Sequence, residues 1–294
     1  MLHLFAQVPE PNKFADFIDK LARTPLSQVV YFVAACTALR LLVFPFLSRA
    51  KPHQRGTGYS LLRILNESLD AIVYAGVFVF LLIRPFAIQA FKIPTGSMLQ
   101  TLQLNDFIVA NKAIYRYTDP KRGDIVVFKP PKRAIPPGQS SDVDYIKRCI
   151  GLPGDTVEIR NGILYRNGQQ VNEPYVFYLD GVGKSVPESE RGQYQRDFKL
   201  VEYRGDYWPL SIYGEEVNSE FGRSAPELMV SDLEEMRTLL ALPAAKIPPG
   251  YYLFMGDNRF NSFDGRGWGL VPREDIIGRS ELVWWPPGRW GGTK

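Results

Sequence analysis

Two apolar runs near the N-terminus, the second ending in a Pro/Gly turn that presents a serine, constrain this 294-residue chain more than any other feature. The first extends from Thr24 to Leu39 and continues past Arg40 through Leu41 to Leu47. About 20 apolar residues suffice for a helix to cross a bilayer. Arg40 opposes that reading, because an arginine at mid-bilayer costs about 2.5 to 3.5 kcal/mol on insertion scales. A long buried or interfacial helix over 26–47 is the competing reading. The second run, Ala71 to Ile83, is denser and continues past Arg84 into Pro85-Phe86-Ala87-Ile88. Arg84 can snorkel toward the headgroups. Two N-terminal transmembrane helices are expected, at about 26–47 and 69–90, with a basic loop, 49–63, between them. That loop holds Arg49, Lys51, His53, Arg55 and Arg63 and no acid, whereas the first 27 residues mix both signs. The bias in Lys and Arg favours a cytoplasmic loop and an extracytoplasmic body.

The second run leads into Phe91-Lys92-Ile93-Pro94-Thr95-Gly96-Ser97-Met98. A serine after glycine is ordinary turn chemistry. Here Pro94 and Gly96 restrict the backbone, so the Ser97 amide and the Thr95 hydroxyl can converge on one point and stabilise an oxyanion. Both histidines, His3 and His53, precede this turn. If the run crosses a bilayer, no histidine remains to activate Ser97, which all but excludes a Ser-His-Asp triad and leaves lysine as the obvious base.

Composition narrows the function further. A net charge of +4, with Lys and Arg scattered among acids, gives no basic block for nucleic acid. Two cysteines, Cys36 and Cys149, are too few for a disulfide framework or a structural zinc site, and both read as buried small hydrophobes. With no clustered ligand set, no metal and no cofactor are expected.

After Ser97 the texture changes to short alternating runs broken by Gly, Pro and Asn. Asp124–Phe128, Thr156–Arg160, Gly162–Tyr165, Tyr251–Met255 and Ser280–Trp285 read as strands, and Asn161-Gly162 and Asn167-Gly168 as hairpin turns. A mainly β fold follows, an antiparallel catalytic body over 93–179 and 247–294 behind a membrane anchor, 1–92. Residues 180–246 are charged and Gly/Pro-punctuated and read as an inserted accessory subdomain. Their one helix signal is Ser231 with Glu234 as a capping box, backed by Leu233, Met236, Leu239 and Leu240.

Two further stretches carry candidate chemistry. Lys147 lies in Tyr145-Ile146-Lys147-Arg148-Cys149-Ile150-Gly151-Leu152. A strand lysine usually faces water, and with a pKa near ~10.4 only about one in a few thousand is neutral at pH 7. Burial can lower that pKa by up to ~5 units, and the apolar neighbours supply the means. In an alternating strand Lys147 shares a face with Tyr145 and Cys149, while Arg148 points the other way and can stay solvated. The second stretch, Met255 to Gly269, concentrates Asp257, Asn258, Arg259, Asn261, Ser262, Asp264 and Arg266 after a strand. It reads either as a solvated loop or as a support, with Asp264 and Arg266 as a fixed ion pair and Ser262 offering a hydroxyl to the lysine amine.

Together the stretches resemble the bacterial type I signal peptidases (leader peptidases), membrane-anchored Ser/Lys serine proteases. The resemblance runs from Ile93–Met98 through Arg122–Phe128, Tyr145–Arg148 with Gly151–Asp155, and Gly256–Arg259 with Asn261, Ser262 and Asp264, to Ile277–Arg279 before Trp284-Trp285. It implies Ser97 as nucleophile, Lys147 as general base, Thr95 and the Ser97 amide as oxyanion donors, Ser262 as the orienting residue, and Asp257, Asp264 and Arg266 as supports. It also implies a membrane location and signal peptides of exported preproteins as substrates, cut after small residues. Membrane lipid and the protein-export machinery are the other expected partners. Three positions depart from the family: Gln100 replaces a proline, Phe260 an aspartate and Gly265 a serine. Gly265 is expected to loosen the supporting loop and Phe260 to add apolar bulk. Two other readings remain, a Ser-Lys protease that cleaves itself or a repressor, and a membrane-tethered module that binds signal peptides without cutting. Trp284, Trp285 and Trp290 suggest either an interfacial aromatic patch or strand packing.

Overall fold

The structure is a computed structural model and describes residues 17, 20, 24–49, 56–83, 86–135, 143–178, 185–187, 190–191, 197–213, 216–217 and 233–293. The chain divides into two compact units, Pro11–Ala90 and a larger one that contains Phe91–Lys294.

In the first unit, helix α1 (Leu26–Arg49) is the one described helix long and apolar enough to cross a membrane. Helix α2 (Thr57–Ala75) continues as a π-helical segment, Gly76–Ile83. The two helices touch closely where Gly76 faces Val33, since a Cβ on Gly76 would lie 2.8 Å from Val33 Cγ2. Arg40 of α1 forms an ion pair with Asp70 of α2. The charge that argued against a span is therefore neutralised by a neighbouring helix. The second helix differs from expectation in its bounds. It starts at Thr57, so Arg63 is not in a basic loop but one helical turn before Glu67, its partner at 2.8 Å. Residues 88–90, expected in the span, belong to a strand. Arg63, Glu67 and Asp70 interrupt the apolar pattern of α2, which hides its first half from a hydropathy reading.

The chain passes between units within strand β1 (Ile88–Lys92). The body then builds β2 (Phe107–Asn111), β3 (Ile125–Phe128), β4 (Tyr145–Gly151), β5 (Val157–Arg160), β6 (Ile163–Arg166), β7 (Gln169–Gln170), β8 (Asp197–Tyr203), β9 (Asp206–Tyr213) and β10 (Glu216–Val217). Helix α3 (Leu233–Ala241) follows, then β11 (Tyr251–Met255), the short helix α4 (Gly265–Trp268), β12 (Val271–Pro272), β13 (Ile276–Trp285) and β14 (Gly291–Gly292). The larger sheet runs β1-β2-β13-β3-β4-β11-β12, with β14 paired to β13. Antiparallel registers define the pairs β2/β13, β13/β3, β3/β4, β4/β11 and β11/β12. The body is thus mainly antiparallel β.

Strand β3 reads Ile-Val-Val-Phe without a polar break because both its faces are covered. Val126 and Phe128 join Cys149, Phe254 and Trp268 on one side, and Phe128 stacks on Phe254 at 4.7 Å. Ile125 and Val127 join Ile93, Met98, Leu102 and Ile108 on the other. Cys36 and Cys149 are both buried and free.

The second sheet runs β10-β9-β8-β5-β6-β7. Asn161-Gly162 and Asn167-Gly168 turn its hairpins, with φ of 49° and 76° in the first and 53° and 78° in the second, as a two-residue turn of this kind requires. Strand β8 pairs with β5 through Ile159 and Phe198, so the described part of 180–246 shares a sheet with 157–170. Leu239 of α3 packs on Val201, Trp208 and Leu210. Ser231, the expected cap, lies outside the described residues.

Phe128→Ala is expected to destabilise the body by about 3–5 kcal/mol, since a large ring leaves a cavity between two packed strands. Equilibrium urea unfolding of the detergent-solubilised chain reads this directly, and a loss below ~1 kcal/mol would mean the two sides of β3 are not packed as described.

Candidate active site

Ser97 is held by its flanks. Ile93 and Met98 are buried in one cluster, and residues 96–98 form a single 3-10 turn closed by the Leu99 amide on the Gly96 carbonyl at 3.1 Å. The apolar residues anchor the turn and leave the hydroxyl facing β4. There Lys147 Nζ lies 2.7 Å from Ser97 Oγ and donates to the Ile146 carbonyl at 3.0 Å. Both side chains are enclosed, Ser97 at 8% and Lys147 at 5% exposure. The Tyr145 ring lies 5.6 Å from Nζ on the shared strand face. Burial lowers the Lys147 pKa to about 8. Asp264 and Asp257 oppose the shift and Arg266 adds to it. At pH 7 that corresponds to about a tenth of the amine being neutral.

The loop after β11 surrounds this pair. Asp264 caps α4 by accepting from the Arg266 amide at 3.2 Å. It also takes Arg266 Nε and Nη2 at 2.8 Å each and the Gly256 amide at 2.9 Å. Burial alone would raise the Asp264 carboxyl. Arg266, the Gly256 amide and nearby Ser262 outweigh it and hold the carboxyl below its ordinary range. Ser262 Oγ is buried without a partner in hydrogen-bond geometry, and none joins it to Lys147 Nζ. Gly256 explains the tight fit here, because a Cβ on it would lie 2.2 Å from Ser262 Oγ and 2.5 Å from the Ser97 carbonyl. Thr95 is exposed and makes no capping bond to the turn.

Two features, at Arg148 and Gly265, differ from expectation. Arg148 is not solvated but 4% exposed. Its Nε and Nη2 hold Asp257 at 2.8 and 2.7 Å, and its Nη1 donates to the Gly123 carbonyl at 2.8 Å. Alternation did send it to the opposite face from Lys147, but the loop after β11 covers that face. Gly265 does not loosen the loop. A Cβ there would lie 2.7 Å from both Leu253 Cδ1 and the Phe254 carbonyl, so glycine is what lets α4 sit against β11. Phe260 packs edge-on against Tyr178 at 5.1 Å, which gives the apolar substitution a partner.

Two further residues hold the turn that bears Ser97. Asn258 donates its amide to the Ser97 carbonyl at 3.1 Å and its Nδ2 to the Gly96 carbonyl at 3.1 Å, clamping the turn from β11's side. Thr101 donates to Asp257 at 2.6 Å and ties down the chain beyond the turn. The signal for Asn258 was its place in the polar cluster. Thr101 gave none. Among the described residues no group of His, Cys, Asp and Glu is arranged to hold a metal.

Gln100 has φ 77°. Proline cannot adopt this value, and glycine takes it without strain. Gln100→Gly is therefore expected to keep or slightly raise stability, by up to ~1 kcal/mol, and Gln100→Pro to lower it by ~3 kcal/mol or more. Thermal unfolding of the two variants checks this, and the reverse order would contradict the turn geometry.

Comparison with known proteins identifies the family. The family model described as "Signal peptidase, peptidase S26" matches residues 65–285. A probable signal peptidase I-1 of Synechocystis sp. is 31% identical over 78% of this chain and 87% of its own length. A signal peptidase I of Leptolyngbya laminosa is 33% identical over 71% of this chain and 74% of its own. A solved signal peptidase I from Enterococcus faecalis V583 is 27% identical, covering 55% of this chain and 97% of that one with a TM-score of 0.32. Family match and relatives agree in their description, and the chain belongs to the signal peptidase family, peptidase S26, as a serine peptidase that cleaves signal peptides.

Proposed function

We propose that Ser97 is the nucleophile and Lys147 the general base of this peptidase. The observation that carries the reading is a dry amine 2.7 Å from an enclosed hydroxyl, with a pKa near 8. In the neutral amine the Nζ lone pair takes the Ser97 proton as Oγ attacks the scissile carbonyl carbon. The resulting oxyanion is stabilised by the Ser97 amide and the Thr95 hydroxyl. Collapse breaks the C–N bond, and the Lys147 ammonium gives its proton to the departing amine, the new N-terminus of the mature protein. Water then adds to the Ser97 ester with Lys147 again taking a proton, which releases the signal peptide and restores the hydroxyl. Ser262, whose Oγ is buried beside Gly256, orients the amine as it changes protonation. Asp257, Asp264 and Arg266 support the loop around it.

Substrate enters as an extended strand, and a shallow site beside Ser97 rejects large side chains by overlap, so cleavage follows small residues. Helices α1 and α2 with Gly76–Ile83 form a two-span membrane anchor, the Arg40–Asp70 pair offsetting the cost of two charges in the second helix and the first. The body faces the extracytoplasmic side, beside lipid and the export machinery, with residues 180–246 as an accessory part of the body.

Ser97→Ala and Lys147→Ala are each expected to lower precursor processing by at least ~10³-fold in lipid-reconstituted enzyme. Mass spectrometry of the products of a tagged precursor should show one bond cut after a small residue. Retained cleavage by either variant would remove the assignment.

Only the neutral amine can accept a proton, so kcat/KM is expected to rise as pH climbs through about 8 and then level. A profile flat from pH 6 to 10 on a peptide substrate would show that Lys147 is not the base.

A further inference from the structure

The segment Glu173-Pro174-Tyr175-Val176-Phe177-Tyr178, which follows the β6–β7 hairpin, carries none of the chemistry above, yet it lies along the loop after β11. The backbones are joined directly. The Phe177 amide donates to the Asp257 carbonyl at 3.1 Å, and the Arg259 amide donates to the Phe177 carbonyl at 3.3 Å. The Tyr175 ring lies 4.0 Å from the Arg148 guanidinium that holds Asp257. Beside these contacts is an enclosed ion pair. Arg259 Nη1 and Nη2 donate to the Glu173 carboxylate oxygens at 2.8 and 2.6 Å, with side-chain exposures of 0% for Arg259 and 7% for Glu173. The Tyr175 hydroxyl donates to the same carboxylate at 3.0 Å. Burial works against the Arg259 charge, but Glu173 more than restores it, so the guanidinium stays charged.

The third donor of Arg259 leads to the site. Its Nε donates to the Gly256 carbonyl at 3.1 Å. Gly256 is the residue on which a Cβ would collide with both Ser262 and the Ser97 carbonyl, so the loop has no space for a side chain there. A displacement of Gly256 is thus a displacement of Ser262 relative to Ser97. We propose that Glu173 is a positioning residue of the peptidase: by holding Arg259 against the Gly256 carbonyl, it sets the loop bearing Ser262 and Asp264 at its distance from Ser97 and Lys147. The proposal rests on the reading of Ser97 and Lys147 as the reacting groups.

A guanidinium cannot stay buried once its carboxylate is removed, so it seeks water and takes its loop with it. Lys147 then registers the change. The charged groups acting on it are Asp257, Asp264 and Arg266 from the loop, while Tyr145 and Ser97 face it from β4 and the nucleophile turn. Desolvation is the largest influence, so a loosened loop admits water and moves the lysine back toward its ordinary value. A residue that only stabilised the fold would leave that pH dependence unchanged in whatever fraction remained folded.

The test uses the full chain reconstituted in lipid, with a signal-peptide substrate assayed from pH 6 to 10. In Glu173→Gln, kcat is expected to fall by at least ~10-fold, KM to change by less than about twofold, and the pH midpoint to rise by at least ~0.5 unit. The double variant Glu173→Met/Arg259→Met leaves no unpaired charge, so it avoids the folding cost that Glu173→Gln carries. It is expected to keep the low kcat and the raised midpoint, because the anchor on Gly256 is still missing. A parent-like kcat and midpoint in the double variant would make the pair merely structural and overturn the proposal. Ser97→Ala in the same assay separates the two levels. If it is inactive while the Glu173 variants match the parent, the positioning role alone fails. If it is active, the underlying reading fails and the positioning role with it.

Discussion

The proposed chemistry depends on one amine kept dry beside one hydroxyl. An isolated lysine in water is charged and useless as a base, so the fold must supply an environment in which losing the proton is cheap. Strand β4 does this by placing Lys147 on the face that carries Tyr145 and Cys149, over a cluster that includes Phe128, Phe254 and Trp268. That environment costs stability. The folded chain binds fewer protons at Lys147 than the unfolded chain between pH 8 and about 10.5, so stability rises with pH across that window. Below pH 8 the full cost applies, about 3 kcal/mol for a shift from 10.5 to about 8. A protein that keeps such a residue gains something from it other than stability.

Around the amine stands a frame of enclosed ion pairs. Arg148–Asp257, Arg259–Glu173 and Arg266–Asp264 each give a carboxylate a guanidinium with two donors, a geometry that holds direction as well as charge. Such pairs add little net stability, because desolvating both charges offsets their attraction. They add geometry. All three act on residues 256–266, and that loop with the Asn258 clamp fixes the nucleophile turn from one side while the cluster around Met98 fixes it from the other.

Much of this was legible in the sequence. Ser97 after a Pro/Gly turn, the absence of histidine beyond the membrane runs, and the polar cluster after Met255 together pointed to the lysine-based site. The alternating strands and the two Asn-Gly turns gave the antiparallel body. What escaped was set by packing between distant segments. Alternation sent Arg148 away from Lys147, but nothing local says that the loop after β11 covers that face. Gly265 read as a loosened position, since the carbonyl of Phe254 that needs its missing Cβ is near in space and not in sequence. Glu173 gave no signal in the sequence, since its partner Arg259 is 86 residues away. In the N-terminal unit, nothing local to Arg40 shows that Asp70, on the next helix, is its ion-pair partner.

The central claim is a protonation state, and it can be measured directly. In the full chain with 15N-labelled lysine, a chemical-shift titration, with Lys147→Arg assigning the resonance, should show this amine losing its proton near pH 8. An amine at position 147 that keeps its proton past pH 10 would contradict the account.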